Sequence, residues 1–164
     1  MSDIIIFVDD LSPEAPDYVT GHICRAISNI VAEKGKPIRT IEISGEEPLL
    51  SESLPLIKKT IEEKVDLLRE TIIGICVDLV DDREKDDLKR VRSGVVLLEQ
   101  IKQDPEIKVY DVLVYTSRYP EIQEQELIQK GAVCLIRRED IRKRDRTTVF
   151  DLMAERILKA LRFQ

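Results

Sequence analysis

Short, mostly apolar segments alternate along the chain with longer segments in which apolar residues recur every three or four positions. The short segments predict β-strands, most of them covered on both faces because few polar residues interrupt them. They lie at 4–8, 38–43, 71–77, 109–115 and 132–136. The longer segments have the periodicity of amphipathic helices, and one of them follows each strand. The pattern therefore predicts five strand–helix units in a row.

Residues that favour helix ends flank most of the helical segments. The predicted starts are Ser12 with Pro13, Pro120, and Thr148 with Asp151; the predicted ends are Gly35, Asp104 with Pro105, and Gly131. The segment DDREKDDLKR at 81–90 separates the third strand from the third helix. It carries charges of both signs and no apolar face, so we predict a solvated loop there.

This order of elements also predicts the sheet. Strands that alternate with helices favour right-handed crossovers, which build a parallel sheet with helices on both faces. Two strand orders suit five such units, the flavodoxin-like order 2-1-3-4-5 and a truncated dinucleotide-binding order. No glycine-rich fingerprint follows the first strand, which favours the flavodoxin-like order. We therefore predict an α/β fold, a flavodoxin-like three-layer (βα)5 sandwich, in one domain over residues 1–164.

The composition and charge of the chain narrow the classes of protein to which it can belong. The 164 residues are 43% hydrophobic and 35% charged, and no apolar run is long enough to span a membrane. The net charge of −6 and the lack of Trp disfavour a nucleic-acid-binding surface. The chain starts without a basic leader region, and its three widely spaced cysteines form no metal-binding motif. We therefore expect a cytoplasmic protein that binds neither nucleic acid nor membranes.

Three aspartates follow strands at the edge of the sheet where such folds bind ligands. Asp9 and Asp10 end the first strand, and Asp78 ends the third. The carboxyl ends of these two strands meet at the switch point of the predicted sheet. Crowded carboxylates repel one another unless a cation neutralises them, and Mg²⁺ prefers oxygen ligands of this kind. We predict one Mg²⁺ site formed by all three; the alternative is that they only cap helices or begin turns.

Two more strands end in polar residues at the same edge. The fourth strand ends in Thr116 and Ser117, and the fifth in Arg137 and Arg138. Successive side chains of a strand point to opposite faces, so one of the two arginines should face the site. A hydroxyl, a cation and a metal-binding acid cluster can hold a phosphoryl group while one carboxylate attacks phosphorus. The strand ends therefore predict phosphoryl chemistry.

In order and context, these motifs resemble the receiver domains of response regulators, over essentially the whole chain. The matching segments are VDD at 8–10, VDL at 77–79, Gly94 in the next helix, VYTS at 114–117 and GAVCLIRR at 131–138. By position, the resemblance implies that Asp9 and Asp10 bind Mg²⁺ and that Asp78 is the phospho-acceptor and a metal ligand. It also implies that the backbone carbonyl of Val80 is a further ligand of the metal.

Two further positions have roles implied by the resemblance. Thr116 matches the switch hydroxyl that turns toward the phosphoryl group, and Arg138 stands at the position of the family's lysine. Arginine keeps the charge of lysine but differs in shape and hydration. Leu135 stands where the family has an aromatic switch residue, and the charged segment 81–90 is an insertion beside the site. These departures make the chain an atypical receiver.

Three functions suit these residues. The resemblance implies a stand-alone signalling protein, not an enzyme, that takes a phosphoryl group from a sensor histidine kinase or a phosphotransfer protein. It would signal to a downstream protein through the face of the fourth helix, fifth strand and fifth helix, as a monomer or a homodimer. The alternative is a pseudo-receiver, a protein-interaction module that is not phosphorylated. A Mg²⁺-dependent phosphohydrolase ranks last, because DLVDD at 78–82 lacks the Asp-x-Asp spacing of such enzymes.

Overall fold

The computed structural model describes residues 3–11, 18–35, 38–44, 49–68, 71–116, 122–138 and 146–161, without the side chains of 64–68 and 146–148. The strands are β1 (Asp3–Asp9), β2 (Ile38–Ser44), β3 (Thr71–Asp78), β4 (Val112–Thr116) and β5 (Leu135–Arg137). The helices are α1 (Thr20–Lys34), α2 (Leu54–Leu68), α3 (Asp87–Arg90), α4 (Ser93–Gln103), α5 (Glu124–Gln129) and α6 (Arg146–Ala160). A 3-10 turn at Leu50–Glu52 precedes α2. Within these described ranges, none of the helices is long and apolar enough to cross a membrane.

The five strands form one parallel sheet in the order β2-β1-β3-β4-β5, which confirms the predicted flavodoxin-like fold. In the pairing of β1 with β3, Val8 lies opposite Val77. The next residues along these strands are Asp9 and Asp78, so both aspartates reach the edge of the sheet at the same level. Asp78 in turn pairs with Tyr115 of β4. The register therefore places Asp9, Asp78 and Tyr115 side by side on three neighbouring strands.

Helices cover both faces of the sheet, and each face has its own apolar core. Alternate strand residues point toward α1 and α6, where Phe7 and Met153 are fully buried. The remaining strand residues point toward α2, α4 and α5, where Leu98 is fully buried. Asp9 comes two residues after Phe7 and therefore lies on the α1–α6 side, as do its neighbours across the sheet. This side of the sheet carries the residues that form the site.

The first helix begins later than its sequence pattern predicts. α1 starts at Thr20, whereas the predicted start, Ser12 with Pro13, lies outside the described residues. Tyr18 is buried just before the helix, and its hydroxyl donates a hydrogen bond to the Glu42 carboxylate of β2. The chain is thereby attached to the edge of the sheet, and the helix begins only after this attachment.

Several other boundaries differ from the predictions. β4 begins at Val112 rather than at Val109, which is 74% exposed in the turn after α4. α6 begins at Arg146, so Thr148 lies inside the helix and the predicted capping box is wrong. Gly35 ends α1 as predicted, in the left-handed conformation with φ 68°. Helix and strand ends are the least predictable parts of the pattern, because turns and tertiary contacts decide their last residues.

The region around α5 and β5 also begins later than predicted. Pro120, the predicted helix start, lies outside the described residues, and α5 begins at Glu124. β5 begins at Leu135 instead of Ala132, because the Ala132 amide bonds to the Leu127 carbonyl of α5 at 3.0 Å. The chain therefore enters the sheet only after it has closed the end of the helix.

The charged segment 81–90, predicted as a loop, contains the short helix α3. The Asp86 carboxylate caps this helix by accepting hydrogen bonds from the amides of Leu88 and Lys89, at 3.0 and 3.1 Å. The loop prediction was wrong for these residues because a cap, rather than an apolar face, starts the helix. α3 itself contributes no buried residue, and Leu88 is 80% exposed.

Candidate functional site

Three carboxylates meet at the carboxyl edge of the sheet. One carboxylate oxygen from each of Asp9, Asp10 and Asp78 lies within 4.8 Å of the other two. The Asp9 side chain is within hydrogen-bonding reach of both Asp10 and Asp78. Asp9 and Asp10 are buried, whereas part of Asp78 reaches the surface. The structure thus brings the three predicted carboxylate ligands together and leaves Asp78 the most accessible of them.

The crowding of these acids changes their protonation. Burial, followed by the hydrogen bond with Asp9, raises the pKa of Asp10 from 3.8 to about 7, and the Asp82 amide partly opposes this. Burial, followed by the charges of Asp9 and Asp10, raises the pKa of Asp78 well above its usual range. Without a cation, the cluster therefore retains protons near neutral pH instead of carrying three negative charges.

Asp9 is held by hydrogen bonds from two directions. The Leu11 amide donates to its Oδ1 at 2.9 Å, and the hydroxyl of Thr20, the first residue of α1, donates to its Oδ2 at 2.5 Å. The Thr20 hydroxyl is also 2.7 Å from the Tyr115 hydroxyl. Neither Thr20 nor Tyr115 was predicted from the sequence to belong to the site. Thr20 carries no motif, and the position of Tyr115 follows only from the pairing of β3 with β4.

The charged insertion closes onto the acid cluster. The Asp82 amide donates to Asp10 Oδ2 at 2.7 Å. Asp81 is fully buried, and its carboxylate accepts hydrogen bonds from the Leu50 amide at 2.7 Å and from Nε of Arg83 at 3.1 Å. Asp81 thus attaches the insertion to the turn before α2. The prediction of a solvated loop missed this role, because a charge pattern does not reveal which single carboxylate becomes buried.

Gly94, near the start of α4, packs directly on the backbone that follows Asp78. Its amide donates to the Leu79 carbonyl at 2.9 Å. A Cβ atom at this position would lie 2.4 Å from the carbonyl oxygen of Asp78 and 2.7 Å from Cα of Leu79. Glycine therefore permits α4 to approach the end of β3 closely enough to hold Asp78 in place.

We expect Gly94→Ala to destabilise the protein by about 2 kcal/mol, because backbone on one side of the contact must move. In an unobstructed helix the same substitution stabilises by up to about 1 kcal/mol, so the sign of the change is informative. Urea unfolding measures it. The control is Gly35→Ala, whose added Cβ meets no atom within 4 Å and whose penalty comes from its φ of 68°. A Gly94→Ala protein as stable as wild type would contradict the close packing.

Thr116, the predicted switch hydroxyl, is fully buried at the last position of β4. Asp78 pairs with Tyr115 and not with Thr116. Since neighbouring side chains of a strand point to opposite faces, strand alternation assigns Thr116 to the α4–α5 side and Tyr115 to the side of Asp78. Ser117, the other predicted hydroxyl, lies outside the described residues. The role of Thr116 stays a prediction, and Tyr115 is the β4 residue level with the acid cluster.

The two arginines at the end of β5 have protein partners of their own. The Arg137 guanidinium donates to the Ile122 carbonyl. The guanidinium carbon of Arg138 lies 5.2 Å from the centre of the Phe150 ring of α6, a cation–π contact. Both Arg138 and Asp78 belong to the described residues, and no ion pair joins them. The structure therefore directs Arg138 to α6 rather than to the acid cluster.

Val80 and Leu135, two further positions of the predicted site, are both buried. The Val80 amide forms a hydrogen bond with the Asp78 carboxyl group. That its carbonyl is a metal ligand stays a prediction. Leu135 packs in the core on the α4–α5 side, and its amide donates to the Glu124 carboxylate at 2.9 Å. Its small apolar side chain fills the position where the resemblance implies an aromatic switch residue.

Comparisons with known proteins agree with this architecture. No protein-family model matches the sequence, and no curated protein matches it either. The Mn²⁺-bound form of response regulator Rcp1 is 18% identical, with 97% of this chain and 94% of that chain covered and a TM-score of 0.54. The response regulator domain of Thermotoga maritima CheB is 19% identical, with a TM-score of 0.53. The alignment covers 98% of this chain and 94% of that domain.

A third solved structure shows how far such likeness reaches. An oxidoreductase from Corynebacterium diphtheriae is 12% identical, covers 99% of this chain and 98% of that chain, and has a TM-score of 0.52. A protein named as an oxidoreductase thus shares this architecture with response regulators, so the likeness identifies the fold and leaves function to the site. The strand order and the nearly full-length structural match to response regulators agree. This chain therefore has the flavodoxin-like fold of response-regulator receiver domains.

Proposed function

We propose that this protein is a phosphorylation-dependent receiver in a two-component phosphorelay, with Asp78 as the phospho-acceptor. The acid cluster carries the proposal: oxygens of Asp9, Asp10 and Asp78 lie within 4.8 Å of one another at the carboxyl edge of a receiver-like fold. The donor would be a sensor histidine kinase or a phosphotransfer protein. We further propose that residues 1–164 act as one cytoplasmic domain.

The residues of the cluster fit a Mg²⁺ ion. Their ligand atoms are all oxygens, and their burial and mutual repulsion leave protons bound near neutral pH unless a cation replaces them. Asp9, Asp10, Asp78 and the Val80 carbonyl would hold the ion. Bound there, Mg²⁺ would neutralise the carboxylates and the oxygens of an incoming phosphoryl group. The chain's own contribution is to fix the carboxylates and to leave Asp78 accessible.

The proposed reaction transfers one phosphoryl group to Asp78. An ionised carboxylate oxygen of Asp78 attacks the phosphorus atom of a phosphohistidine and forms a new P–O bond. The P–N bond breaks, and the histidine nitrogen keeps its electron pair. The product is an aspartyl phosphate, and no further reactant is consumed. A protonated carboxyl group is a poor nucleophile, so the raised pKa of Asp78 makes the reaction depend on a cation.

We propose that Arg138 and Thr116 respond once the phosphoryl group is in place. A cation–π contact such as that of Arg138 with Phe150 is worth about 1 kcal/mol. A charge-assisted hydrogen bond to a phosphoryl oxygen is stronger, so Arg138 would exchange one contact for the other. Movement of Thr116 and Arg138 would then repack the face of α5, β5 and α6, which are the fourth predicted helix, the fifth strand and the fifth predicted helix. We propose this face as the surface for a downstream protein.

The direct test is phosphorylation by a small donor. Incubation with acetyl phosphate or phosphoramidate in the presence of Mg²⁺ should add the mass of one phosphoryl group, and a chelator should prevent it. Beryllofluoride, a mimic of aspartyl phosphate, should shift amide signals at residues 78–82, at Thr116 and across α5. A protein that stays unmodified with both donors and shows no shift with the mimic would overturn the proposal.

A pseudo-receiver is the second candidate, and two observations favour it. Arg138 contacts Phe150 instead of Asp78, and the insertion closes on the cluster through the bond from Asp82 to Asp10. In that case the α5–β5–α6 face would bind a protein partner without any phosphorylation. No transfer from either small donor, together with partner binding that Asp78→Asn leaves unchanged, would establish this candidate.

A further inference from the structure

A chain of two buried hydroxyl groups reaches the acid cluster from the side of α1. The Thr20 hydroxyl lies 2.5 Å from Asp9 Oδ2 and 2.7 Å from the Tyr115 hydroxyl. Thr20 is fully buried, and Tyr115 and Asp9 are 1% and 4% exposed. Because these three side chains are almost completely buried, water cannot easily replace any of the hydrogen bonds between them.

The direction of these hydrogen bonds follows from counting protons. A threonine hydroxyl has one proton to donate and two lone pairs to accept with. Thr20 uses its proton on the Asp9 carboxylate. Tyr115 must therefore donate its own proton to Thr20, and the chain runs from Tyr115 through Thr20 to Asp9. Hydrogen bonds in such a series strengthen one another, so Tyr115 acts on Asp9 without touching it.

The two hydroxyl-bearing residues are held in place independently of the cluster. The Tyr115 ring packs edge-on against Phe7, with ring centres 5.9 Å apart. Thr20 is the first residue of α1, a helix whose apolar face packs in the core with Phe7. Asp9 and Tyr115 belong to β1 and β4, the two strands that flank β3 and Asp78. The hydroxyl chain therefore bridges the two neighbours of the strand that carries the proposed phospho-acceptor.

We infer that Thr20 and Tyr115 are positioning residues that orient the Asp9 carboxylate for a divalent cation. The inference rests on the proposed function, which makes Asp9 a metal ligand. The Leu11 amide occupies a lone pair on Oδ1 and Thr20 one on Oδ2, and this fixes the plane of the carboxylate. The remaining lone pairs would then be available to a divalent cation without rotation of the side chain. Groups that hold a ligand in this way commonly change metal affinity 10- to 100-fold when removed.

Mn²⁺ binding to the purified protein, followed by electron paramagnetic resonance, tests the inference. Thr20→Val should weaken Mn²⁺ affinity by about tenfold or more, since Asp9 Oδ2 loses its donor. Tyr115→Phe should weaken it less, but measurably, because only the supporting bond is lost. Thr20→Ser keeps the hydroxyl and should retain most of the affinity. The matched controls are Tyr110→Phe and Thr60→Val. Each removes the hydroxyl of a residue that takes no part in the hydrogen-bonded series from Tyr115 to Asp9.

A second readout needs no metal. In the metal-free protein, the chemical shift of the Asp9 carboxyl carbon should change in Tyr115→Phe and stay constant in Tyr110→Phe. If Thr20→Val does not fold, Tyr115→Phe and Thr20→Ser still decide the matter. Wild-type affinity and an unchanged Asp9 shift in Tyr115→Phe would overturn the inference, as would a wild-type protein that binds no Mn²⁺. Mn²⁺ binding that depends on Thr20, without phosphorylation of wild type, would instead overturn the proposed function alone.

Discussion

Asp78→Asn is expected to abolish phosphorylation by acetyl phosphate, lowering its rate on the order of a thousandfold or more. The amide that replaces the carboxylate has no anionic oxygen to attack phosphorus, and its nitrogen is not nucleophilic. The substitution keeps the size of the side chain. It also retains an oxygen that can accept the hydrogen bond from the Val80 amide. Loss of reactivity would therefore report on the nucleophile rather than on the fold.

The matched control for this substitution lies in the insertion beside the site. Asp87 has a side chain that is 89% exposed and pairs with Arg90 at 3.0 Å. Asp87→Asn removes one negative charge from the insertion without touching the cluster, so its phosphorylation rate should equal that of wild type. Mass spectrometry of the intact protein measures both variants. Phosphorylation of Asp78→Asn at the wild-type rate would show that another residue is the acceptor.

Asp10→Asn is expected to stabilise the metal-free protein at pH 7.5, on the order of 4 kcal/mol. Burial is the main cause that raises the pKa of the Asp10 carboxyl group from 3.8 to about 7 in the folded protein. The folded state therefore binds more protons than the unfolded state between these two values, and stability falls as the pH rises through this window. Each pH unit of this difference is worth about 1.4 kcal/mol. Asparagine carries no charge and is still able to accept the Asp82 hydrogen bond.

Denaturant unfolding at a series of pH values, in a chelating buffer, measures this effect. As far as the acid cluster is concerned, wild type should be most stable below about pH 4 and should lose stability from there up to about pH 7. The free energy of unfolding of Asp10→Asn should depend less on pH over the same range. The raised pKa of Asp78 acts in the same direction, so some slope should remain in the variant. A variant less stable than wild type at pH 7.5 would contradict this account.

The same two proteins also separate metal binding from charge repulsion. A ligand that binds only the folded state stabilises by about 2.7 kcal/mol at a hundredfold excess over its dissociation constant. Millimolar Mg²⁺ should therefore raise the melting temperature of wild type by several degrees, and that of Asp10→Asn by much less. An equal response of both proteins would argue against a shared site of Asp9, Asp10 and Asp78.

Asp10→Asn is expected to stabilise the metal-free protein and to weaken its response to Mg²⁺, and both effects have one physical origin. A cluster of buried carboxylates is unfavourable in the empty protein and favourable around a cation, because the same electrostatic interactions change sign. The close packing of Gly94 on the backbone after Asp78 prevents the end of β3 from moving to relieve the repulsion. The protein would thus keep a strained site that binding of an ion relaxes, as is common at functional sites.

The sequence alone determined the fold and the three carboxylates of the site. Apolar segments of strand length and helical periodicity are local signals, and the handedness of crossovers then leaves few arrangements for five units. Parallel strands end at a common edge, so the sequence alone places Asp9, Asp10 and Asp78 together. No long-range contact had to be specified for either conclusion.

The partners of those carboxylates were decided by the tertiary structure. Tyr115 stands level with Asp78 because of the register of β3 and β4, which the residues of either strand do not encode by themselves. Asp81 looks like any other charge of its segment until the turn before α2 packs against it. Arg138 has a charge suited to a phosphoryl group, yet the docking of α6 places the Phe150 ring beside it. Each of these contacts joins residues from different elements of the fold, and so only the packing of the elements selects them.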